Sequence, residues 1–521
     1  MKTNNTTLPI TDTLQSIFDK GCSQFKHNVA FKCGAQSLTY LELEQDSRNF
    51  AAYLQANTEL KPGDRIAVQL PNCIAYPIVT WGALRAGLVV VNVNPLYTKN
   101  ELLHMYKDSG AKALILLGSS VELVSSLLAE TEISALIYLP NIEPNLTQLS
   151  VEATSYQNAL ELGRQYQFQA VVTHANDMAL LQYTGGTTGL SKGAILTHHN
   201  LISAARGFWN ATEVFEQGNE IFVAPLPLYH VYAFVAHIVV GVVYGVTSIL
   251  ISNPRDLNEF SSALQNTRFS LFVGINTLFN ALCHDEQFQK LDFSGLKFTL
   301  SGGMALDLSV AKRWHDLTAC QINEGYGLTE SSAGVIVNRG DTCRRLGSVG
   351  KPVGGIELKI VGDKGLQLNI GEKGELHIKG SQIMQGYWQN PSATNEVLQD
   401  GWLATGDIAT LDEDGFVYIV DRIKDVIIVS GFNVYPAEIE QVVCRIDGIQ
   451  ECAVVGSKSE DTGEMVQLFV VIQDKNITPQ FIIEHCRNNL AAYKIPKVIN
   501  IIDELPKSPV GKILKRMLKS S

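Results

Sequence analysis

Residues 181–194 read LQYTGGTTGLSKGA and combine glycines, hydroxyl side chains and a single lysine. A glycine-rich loop exposes backbone N–H groups, and threonines beside a cation add further ligands for a chain of phosphates. The segment is not a Walker A motif, because Gly193 follows the lysine where that motif has Ser or Thr. The alternative is a plain surface turn, but so many hydroxyls beside one lysine favour a phosphate-binding loop. The candidate ligands are Thr184, Gly185, Gly186, Thr187, Thr188, Gly189 and Lys192.

A second group of residues follows an apolar strand pattern, with SGGM at 301–304 and NEGYGLTE at 323–330. Tyr326 lies between glycines, so its ring is free to stack on a purine. Thr329 and Glu330 place a hydroxyl beside a carboxylate, and Mg²⁺ prefers such oxygen ligands. The alternative for Glu330 is an ordinary carboxylate at a helix N-terminus, which taken alone is the better interpretation.

A third motif, GWLATGD at 401–407, ends in an aspartate. The sequence predicts that Asp407 lies in a glycine turn. A carboxylate there can accept hydrogen bonds from both hydroxyls of a ribose. The alternative is an Asp-capped β-turn without a ligand.

The fourth motif is LPKSPVGKILK at 505–515, near the end of the chain. Lys512 follows Pro509 and Gly511 and is a candidate for a functional lysine. For an isolated lysine at this place, a solvated basic tail is the preferred interpretation.

The elements that must position these residues alternate between strand and helix patterns over the first 300 residues. Such alternation predicts an α/β fold with a mostly parallel sheet. After about Ser331 short strands and glycine turns predict a β-rich subdomain, and from about 423 a small α+β pattern follows. We therefore divide the chain into residues 1–422 and 423–521. Predicted helices are 39–54, 76–86, 100–109, 437–444 and 480–492; predicted strands are 64–69, 88–92, 113–117, 220–224, 269–273, 298–301, 451–456, 464–473 and 498–502.

Composition excludes several classes of protein. The 521 residues are 45% hydrophobic and 18% charged, which is typical of globular chains and not of disordered ones. The net charge of −11 argues against nucleic-acid binding. Nine cysteines without CxxC spacing favour reduced thiols in a cytoplasm over disulfides or a zinc site. The N-terminus shows no apolar run typical of a signal peptide.

The apolar stretch at 231–251 is long enough to cross a bilayer. His237, Gly241 and Gly245 interrupt it, and its last residues are β-branched. We predict a buried helix, a break at Gly245 and a core strand. Peripheral contact with a membrane is left open.

Taken together, the motifs resemble the adenylate-forming (AMP-binding) superfamily, which includes acyl-CoA synthetases, adenylation domains of peptide synthetases and luciferases. The likeness spans about residues 28–516. It rests on YTGGTTGLSKG, EGYGLTE, GWLATGD, DRIKD and PKSPVGK, which are specific in combination. The stretches NPRDLNEF, GINTLFNAL, LDFSGLKFTLSGGM and DRIKDVIIVSGFNVYPAEIE are further similar to bacterial long-chain fatty-acid–CoA ligases.

The resemblance implies a large N-terminal domain of mostly parallel sheets with a β-rich subdomain, and a small mobile α+β C-terminal domain. It also implies a two-step reaction that uses ATP, Mg²⁺ and coenzyme A. A fatty carboxylate attacks the α-phosphate to give acyl-AMP, and the CoA thiol then attacks the acyl carbonyl. Between the steps the C-terminal domain rotates.

The resemblance assigns roles to individual residues. Lys512 would bridge the acyl oxygen and the α-phosphate, with Thr329 at that phosphate and Glu330 at Mg²⁺. For the hinge residue Lys424 a plain surface lysine is an equally weighted alternative. Most of the acyl-pocket residues are also explained as ordinary core. The implied adenine and ribose residues are Gly302, Gly303, Glu324, Gly325, Tyr326, Asp407 and Arg422; the acyl residues are His230, Phe234 and Gly274; the hinge and CoA residues are Lys424, Ser430 and Gly431.

Other functions remain alternatives. The same chemistry on a shorter or aryl acid, or with a carrier-protein thiol, keeps the motifs, although no carrier serine motif follows and CoA is therefore the expected acceptor. A non-catalytic nucleotide or lipid sensor would not need the full set of motifs. A kinase or NTPase would release ADP as product, and this sequence lacks the Walker A motif that a P-loop NTPase needs. The expected partners are small molecules and no nucleic acid, with a homodimer left open.

Overall fold

The computed structural model describes residues 12–147, 149–184, 191–304, 306–340, 344–459, 462–474, 476–507 and 513–519. Helices begin where the sequence offers a cap. Thr39 accepts from the Glu42 N–H, and Glu42 accepts in return, which forms a capping box worth about 1 kcal/mol. The α-helices are Leu14–Gln24, Tyr40–Asn57, Ala75–Arg85, Lys99–Ser109, Val121–Leu128, Tyr156–Gly163, His198–Thr212, Val231–Ala233, Val240–Tyr244, Leu257–Leu264, Asn276–Cys283, Leu308–Thr318, Pro391–Val397, Pro436–Val443, Pro479–Asn489 and Lys515–Leu518.

A nine-stranded sheet carries the adenine motif. Its central strands are parallel, and the pairs at both edges are antiparallel. The β-branched and aromatic residues of the central strands are buried on both faces, as parallel sheets require. In spatial order the strands are Lys351–Pro352, Ala333–Val337, Ile322–Leu328, Phe298–Ser301, Leu271–Gly274, Ile221–Ala224, Thr247–Leu250, Val29–Cys33 and Gln36–Thr39.

A seven-stranded sheet carries the glycine-rich loop. It is parallel except for its last pair, which is an antiparallel hairpin. One apolar core draws on both large sheets and on helices Tyr40–Asn57, Ala75–Arg85 and His198–Thr212. In spatial order the strands are Glu152–Ser155, Ala135–Leu139, Ala111–Leu117, Arg65–Gln69, Val89–Asn92, Met178–Thr184 and Lys192–Thr197.

The predicted α/β class with parallel sheets is confirmed. A five-stranded antiparallel sheet forms the β-rich subdomain, as predicted. The last strand of this sheet ends at Arg422, and the next sheet begins at Ile427. The division of the chain at 422/423 stays a prediction. The strands are Ile356–Val361, Gly374–Gly380, Trp402–Leu411 and Leu398–Gln399 in spatial order, with Val417–Arg422 also paired to Trp402–Leu411.

The C-terminal sheet packs its two faces into two separate apolar clusters. The predicted α+β pattern is confirmed, with two helices and five strands in this part of the described chain after Arg422, before the short helix Lys515–Leu518. The strands are Phe432–Val434, Ile427–Val429, Gly463–Ile472 and Ile449–Ser459 in spatial order, with Val498–Ile501 also paired to Gly463–Ile472.

The apolar stretch at 231–251 folds as a buried helix, a break and a strand, which confirms the prediction. Its middle, Phe234–Val239, is a π-helix. Gly245 ends the helix with a φ of 71°, where a side chain would be strained and would meet the Phe25 ring. Within the described residues no helix has the length and apolar character needed to cross a membrane.

Candidate active site

The glycine-rich loop joins two paired strands. Met178–Thr184 and Lys192–Thr197 form an antiparallel hairpin in which Thr184 lies opposite Lys192. The register therefore holds the two ends of the loop side by side. The predicted phosphate ligands Gly185, Gly186, Thr187, Thr188 and Gly189 lie outside the described residues.

Residues 384–388, which we call the strap, run beside the strand Lys192–Thr197. The Ile195 N–H donates to the Gly386 carbonyl at 2.9 Å, and the Trp388 N–H donates to the Gly193 carbonyl at 2.8 Å. Upstream of the strap, the Asn200 side chain donates to the carbonyls of Ser381 and Ile383. The strap is thereby held against the strand that begins at Lys192.

Glu330 lies in a tight 3₁₀ turn, Thr329–Ser331, and not at the start of an α-helix. Gly327 must be glycine, because a Cβ there would lie 1.8 Å from the Ala333 carbonyl oxygen. Ala333 itself has a φ of 85°, a conformation that costs a non-glycine residue about 1–2 kcal/mol. The buried Ser331 hydroxyl compensates in part by accepting from the Leu328 N–H and donating to neighbouring carbonyls. A strained, over-determined turn thus presents Glu330.

The strap and the turn meet at Tyr387, a residue that the sequence analysis did not single out. Its hydroxyl donates to Glu330 Oε1 at 2.7 Å. Lys192 Nζ lies 5.0 Å from the centroid of the same ring. Burial raises the pKa of the Tyr387 phenol, and the Glu330 carboxylate raises it further, so the hydroxyl keeps its proton and donates.

The donor set at Glu330 fits a magnesium ion held mainly by phosphates. Among the described residues no group of three or more His, Cys, Asp or Glu could bind a metal. Mg²⁺ keeps several waters and uses one or two carboxylates together with substrate phosphates, so one carboxylate, Glu330, next to the Thr329 hydroxyl would suffice.

The prediction that Asp407 lies in a glycine turn is wrong. The residue lies inside the strand Trp402–Leu411. A bulge against Gly374–Gly380 distorts this strand at Gly406, whose φ is 72°. Glu375 accepts from the Gly406 N–H at 3.0 Å and helps to hold the bulge. Bulges of this kind re-aim a side chain next to active sites.

The re-aimed carboxylate of Asp407 is buried and held from two sides. The Tyr326 hydroxyl donates to Oδ2 at 2.6 Å, and Arg422 Nε lies 3.3 Å from Oδ1. Burial and the carboxylate both raise the pKa of the Tyr326 phenol, which therefore acts as a donor. Each carboxylate oxygen retains a lone pair, so two ribose hydroxyls can still be accepted.

We expect Asp407→Asn to raise the KM for ATP about 10- to 100-fold, because hydrogen bonds to a charged acceptor are worth about 1.5–3 kcal/mol. The wild-type protein should discriminate against 3′-deoxy-ATP, and the variant should lose most of that discrimination. Steady-state kinetics with the two nucleotides provide the measurement. Equal discrimination by both proteins would remove Asp407 from the ribose site.

The predicted adenine residues lie at the ends of adjacent parallel strands. Ser301 is in register with Glu324, and Gly302 and Gly303 continue beyond the strand. Gly303 has a φ of 81°, and a Cβ on Gly302 would lie 3.2 Å from the Tyr232 ring. Gly325 pairs with Val337 on the next strand. Only Gly303 of these three glycines has open space at its Cβ position, and we call this region at the strand ends the adenine slot.

Glu324 is a partly buried carboxyl in this region. Burial raises its pKa from 4.5 to about 7, against the opposing effects of the backbone N–H groups of Leu306 and Gly347 and of the Arg344 charge. The carboxyl is therefore close to half protonated near neutral pH.

The shift predicts a pH-dependent stability. Between about pH 4.5 and 7 the folded state holds the Glu324 proton that the unfolded chain releases, so stability must fall as pH rises through this window. Glu324→Gln cannot titrate, and its stability relative to wild type should increase by about 3 kcal/mol across the window. Urea unfolding at pH 5 and pH 7.5 measures the difference. Parallel pH profiles would contradict the shift.

The predicted acyl residues are brought next to the adenine slot. His230 caps the short helix Val231–Ala233, and its Nδ1 accepts from the Tyr232 N–H at 3.4 Å. Phe234 is fully buried. The Gly274 carbonyl accepts from the Gly302 N–H, and the Phe279 ring fills the space where a Gly274 side chain would lie. Only His230 of the three is partly exposed.

A buried polar cluster that the sequence analysis missed holds the loop before His230. The Asn72 side chain donates to the carbonyls of Ala224, Leu226 and Ile251 and accepts from the Leu228 N–H. The local sequence, Pro71-Asn72 after a strand, does not indicate these hydrogen bonds, because the residues that Asn72 contacts are more than 150 positions away in the chain.

The predicted hinge and CoA residues lie beyond the subdomain sheet. Desolvation and the Arg422 charge lower the pKa of Lys424, against the opposing effects of the Asp425, Asp407 and Glu330 carboxylates. Ser430 and Gly431, with φ of 50° and 83°, form a two-residue type I′ turn between Ile427–Val429 and Phe432–Val434. Lys512 lies outside the described residues.

The sequence matches the family model of AMP-binding enzymes over residues 18–388 and that of the AMP-binding enzyme C-terminal domain over 438–512. The chain belongs to the AMP-binding enzyme family. As in this family's solved structures, the fold is mixed α/β with a smaller C-terminal part. A long-chain-fatty-acid–CoA ligase of Yersinia pestis is 42% identical, over 97% of this chain and 94% of that protein.

Two further AMP-binding enzymes show how far the likeness extends. A feruloyl-CoA synthase of an Amycolatopsis species is 34% identical over 94% of this chain and 95% of its own. The structure of ATP-bound MatB from Rhodopseudomonas palustris superposes with a TM-score of 0.86 at 26% identity, covering 98% of this chain and 99% of that one. The predicted family and fold are confirmed.

Proposed function

We propose that the protein is an ATP-dependent long-chain fatty-acid–CoA ligase that forms acyl-CoA, AMP and pyrophosphate. The proposal that the substrate is a long-chain fatty acid rests on the 42% identity to the Yersinia pestis ligase over nearly the whole of both chains. The site geometry supports the nucleotide chemistry, because Lys192, Glu330 and Asp407 provide a cation, a metal-binding carboxylate and a ribose acceptor around the adenine slot.

The first step joins two anions. A carboxylate oxygen bonds to the α-phosphorus while the bond to the pyrophosphate oxygen breaks, and negative charge accumulates between them. Lys512 and Thr329 would stabilise this charge where it develops. Lys192, with Thr184, Thr187 and Thr188, would hold the β- and γ-phosphates. Mg²⁺ bound at Glu330 would neutralise phosphate charge.

The remaining side chains orient the nucleotide. Asp407, fixed by Tyr326 and Arg422, would accept the ribose hydroxyls, and the slot formed by Gly302, Gly303, Glu324 and Gly325 would hold the adenine. A bound nucleoside would thus be fixed at two points before the acid attacks, which lowers the entropic barrier.

In the second step the CoA thiol attacks the acyl carbonyl, a C–S bond forms, the C–O bond to AMP breaks, and the thiol proton is released. Lys512 has no part in this step. We propose that the chain from Lys424 onward rotates about this residue, so that the turn at Ser430 and Gly431 approaches the thiol. Only a few residues need to absorb such a backbone change.

The acyl chain would enter past His230 and lie along the apolar residues that follow it, with Phe234 and Gly274 in the wall. Each methylene that becomes buried contributes about 0.8 kcal/mol, so a deep tunnel selects long chains. The cytoplasmic location, the peripheral membrane contact and the homodimer stay predictions.

The experiment that tests the function supplies the purified protein with Mg·ATP, CoA and one acid at a time, from acetate through long-chain fatty acids to aryl acids such as ferulate. We expect AMP and acyl-CoA with long-chain acids. Turnover of aryl acids only would favour the second candidate, an aryl acid–CoA ligase, which the 34% identity to feruloyl-CoA synthase supports. ATP binding without any turnover would favour a sensor.

A further inference from the structure

Tyr387 contacts two proposed functional groups at once. Its hydroxyl donates to Glu330 Oε1, and its ring lies beneath the Lys192 ammonium. Glu330 and Tyr387 are 57 residues apart in the chain, so only the fold brings them together. A tyrosine combines a neutral donor, which suits a carboxylate, with an aromatic face, which suits a cation.

The position of Tyr387 is set by the backbone of the strap and not by its two ionic neighbours. Its own N–H donates to the Thr394 hydroxyl at 2.8 Å, and the residues on either side bond to the strand Lys192–Thr197. Gly386 has a φ of 149°, and a Cβ there would lie 2.8 Å from Thr394. The ring is therefore in place before any ligand arrives.

The contact makes the Glu330 carboxylate asymmetric. Oε1 accepts the tyrosine hydroxyl, so the two carboxylate oxygens have different surroundings. A ligand carboxylate whose second oxygen is hydrogen-bonded has a defined orientation, and outer partners of this kind tune metal affinity.

The ring also lies next to the Lys192 ammonium. A cation over an aromatic face is attracted by the negative face of the ring, which stabilises the Lys192 ammonium at this place. Within the described part of the chain no ion pair joins Lys192 to Glu330. The lysine thus remains available to phosphates, and the carboxylate remains available to a metal.

We propose that Tyr387 is a positioning residue for the metal–nucleotide complex, orienting Glu330 towards the divalent cation through its hydroxyl and Lys192 towards the phosphates through its ring. This role rests on the proposed function of the site.

The test compares Tyr387→Phe, which loses only the hydroxyl, with Tyr387→Leu, which also loses the ring. Tyr418→Phe is the matched control, since Tyr418 donates to Asp412 at 3.1 Å in the subdomain sheet. Mn²⁺ binding is followed by electron paramagnetic resonance with a non-hydrolysable ATP analogue, and analogue binding is measured separately in EDTA. We expect Tyr387→Phe to weaken Mn²⁺ binding about 10-fold and to leave analogue binding in EDTA unchanged. Tyr387→Leu should weaken both.

A double-mutant cycle separates this role from a structural one. In a Glu330→Gln background, Tyr387→Phe should have no further effect on Mn²⁺ binding. The proposal is overturned if Tyr387→Phe binds Mn²⁺ like wild type, or if it weakens analogue binding equally with and without the metal. A wild-type protein that binds no metal–nucleotide complex would overturn the proposed function itself, and the role of Tyr387 with it.

Discussion

Replacing Lys512 by alanine is expected to lower the rate of acyl-AMP formation by about 10²–10³-fold while leaving thioester formation nearly unchanged. The lysine would supply the positive charge between two approaching anions, and loss of one such stabilising group costs this order of magnitude. In the second half-reaction the proposed rotation of the C-terminal part has removed Lys512 from the reacting atoms. ATP–pyrophosphate exchange measures the first step, and acyl-CoA formation from supplied acyl-AMP measures the second.

Lys507→Ala is the matched control, because Lys507 lies on the same segment and forms an ion pair with Glu451 at 2.6 Å. We expect it to retain both half-reactions. Equal loss of both half-reactions in Lys512→Ala would contradict the alternation of the C-terminal domain between two steps.

Glu330→Gln is expected to lower kcat/KM for Mg·ATP by about 10²-fold and to raise the Mg²⁺ concentration needed for half-maximal activity. The amide keeps the shape of the side chain and can still accept from Tyr387, but it lacks the charge that a hard cation requires. A Mg²⁺ titration at fixed ATP provides the measurement.

The control for this change is Glu372→Gln, a surface carboxylate that accepts from the Asn369 N–H in a turn. It should titrate with Mg²⁺ like the wild-type protein. An unaltered Mg²⁺ profile for Glu330→Gln would remove Glu330 from the metal site.

Most elements that carry the site were predictable because their signals are local. The strand predicted at 298–301 is observed as Phe298–Ser301, and the helix predicted from Thr39 begins at Tyr40 with Thr39 as its cap. Hydrophobic periodicity and a capping residue act within a few residues, so one sequence suffices to read them.

The errors come from contacts between distant residues. The glycine turn predicted at Asp407 is a bulged strand, because pairing with Gly374–Gly380 and Val417–Arg422 on both sides overrides the local turn signal of Gly406. Tyr387 escaped notice for the same reason. A Gly-Tyr pair is common, and nothing near it in the chain indicates contact with Glu330 or Lys192.

The prediction for 231–251 was right about the break at Gly245, whose φ requires glycine. The π-helix Phe234–Val239 within it was not foreseen. This segment packs against the helix His198–Thr212, which lies more than 20 residues away in the chain, so the local apolar pattern does not determine its extra residue per turn.

The most direct test of the account is ATP–pyrophosphate exchange by the purified protein with a long-chain fatty acid, before and after CoA is added. The account predicts exchange that depends on the acid and needs no CoA, followed on addition of CoA by AMP and acyl-CoA in equal amounts. Release of ADP and phosphate, or exchange that is independent of the acid, would contradict it.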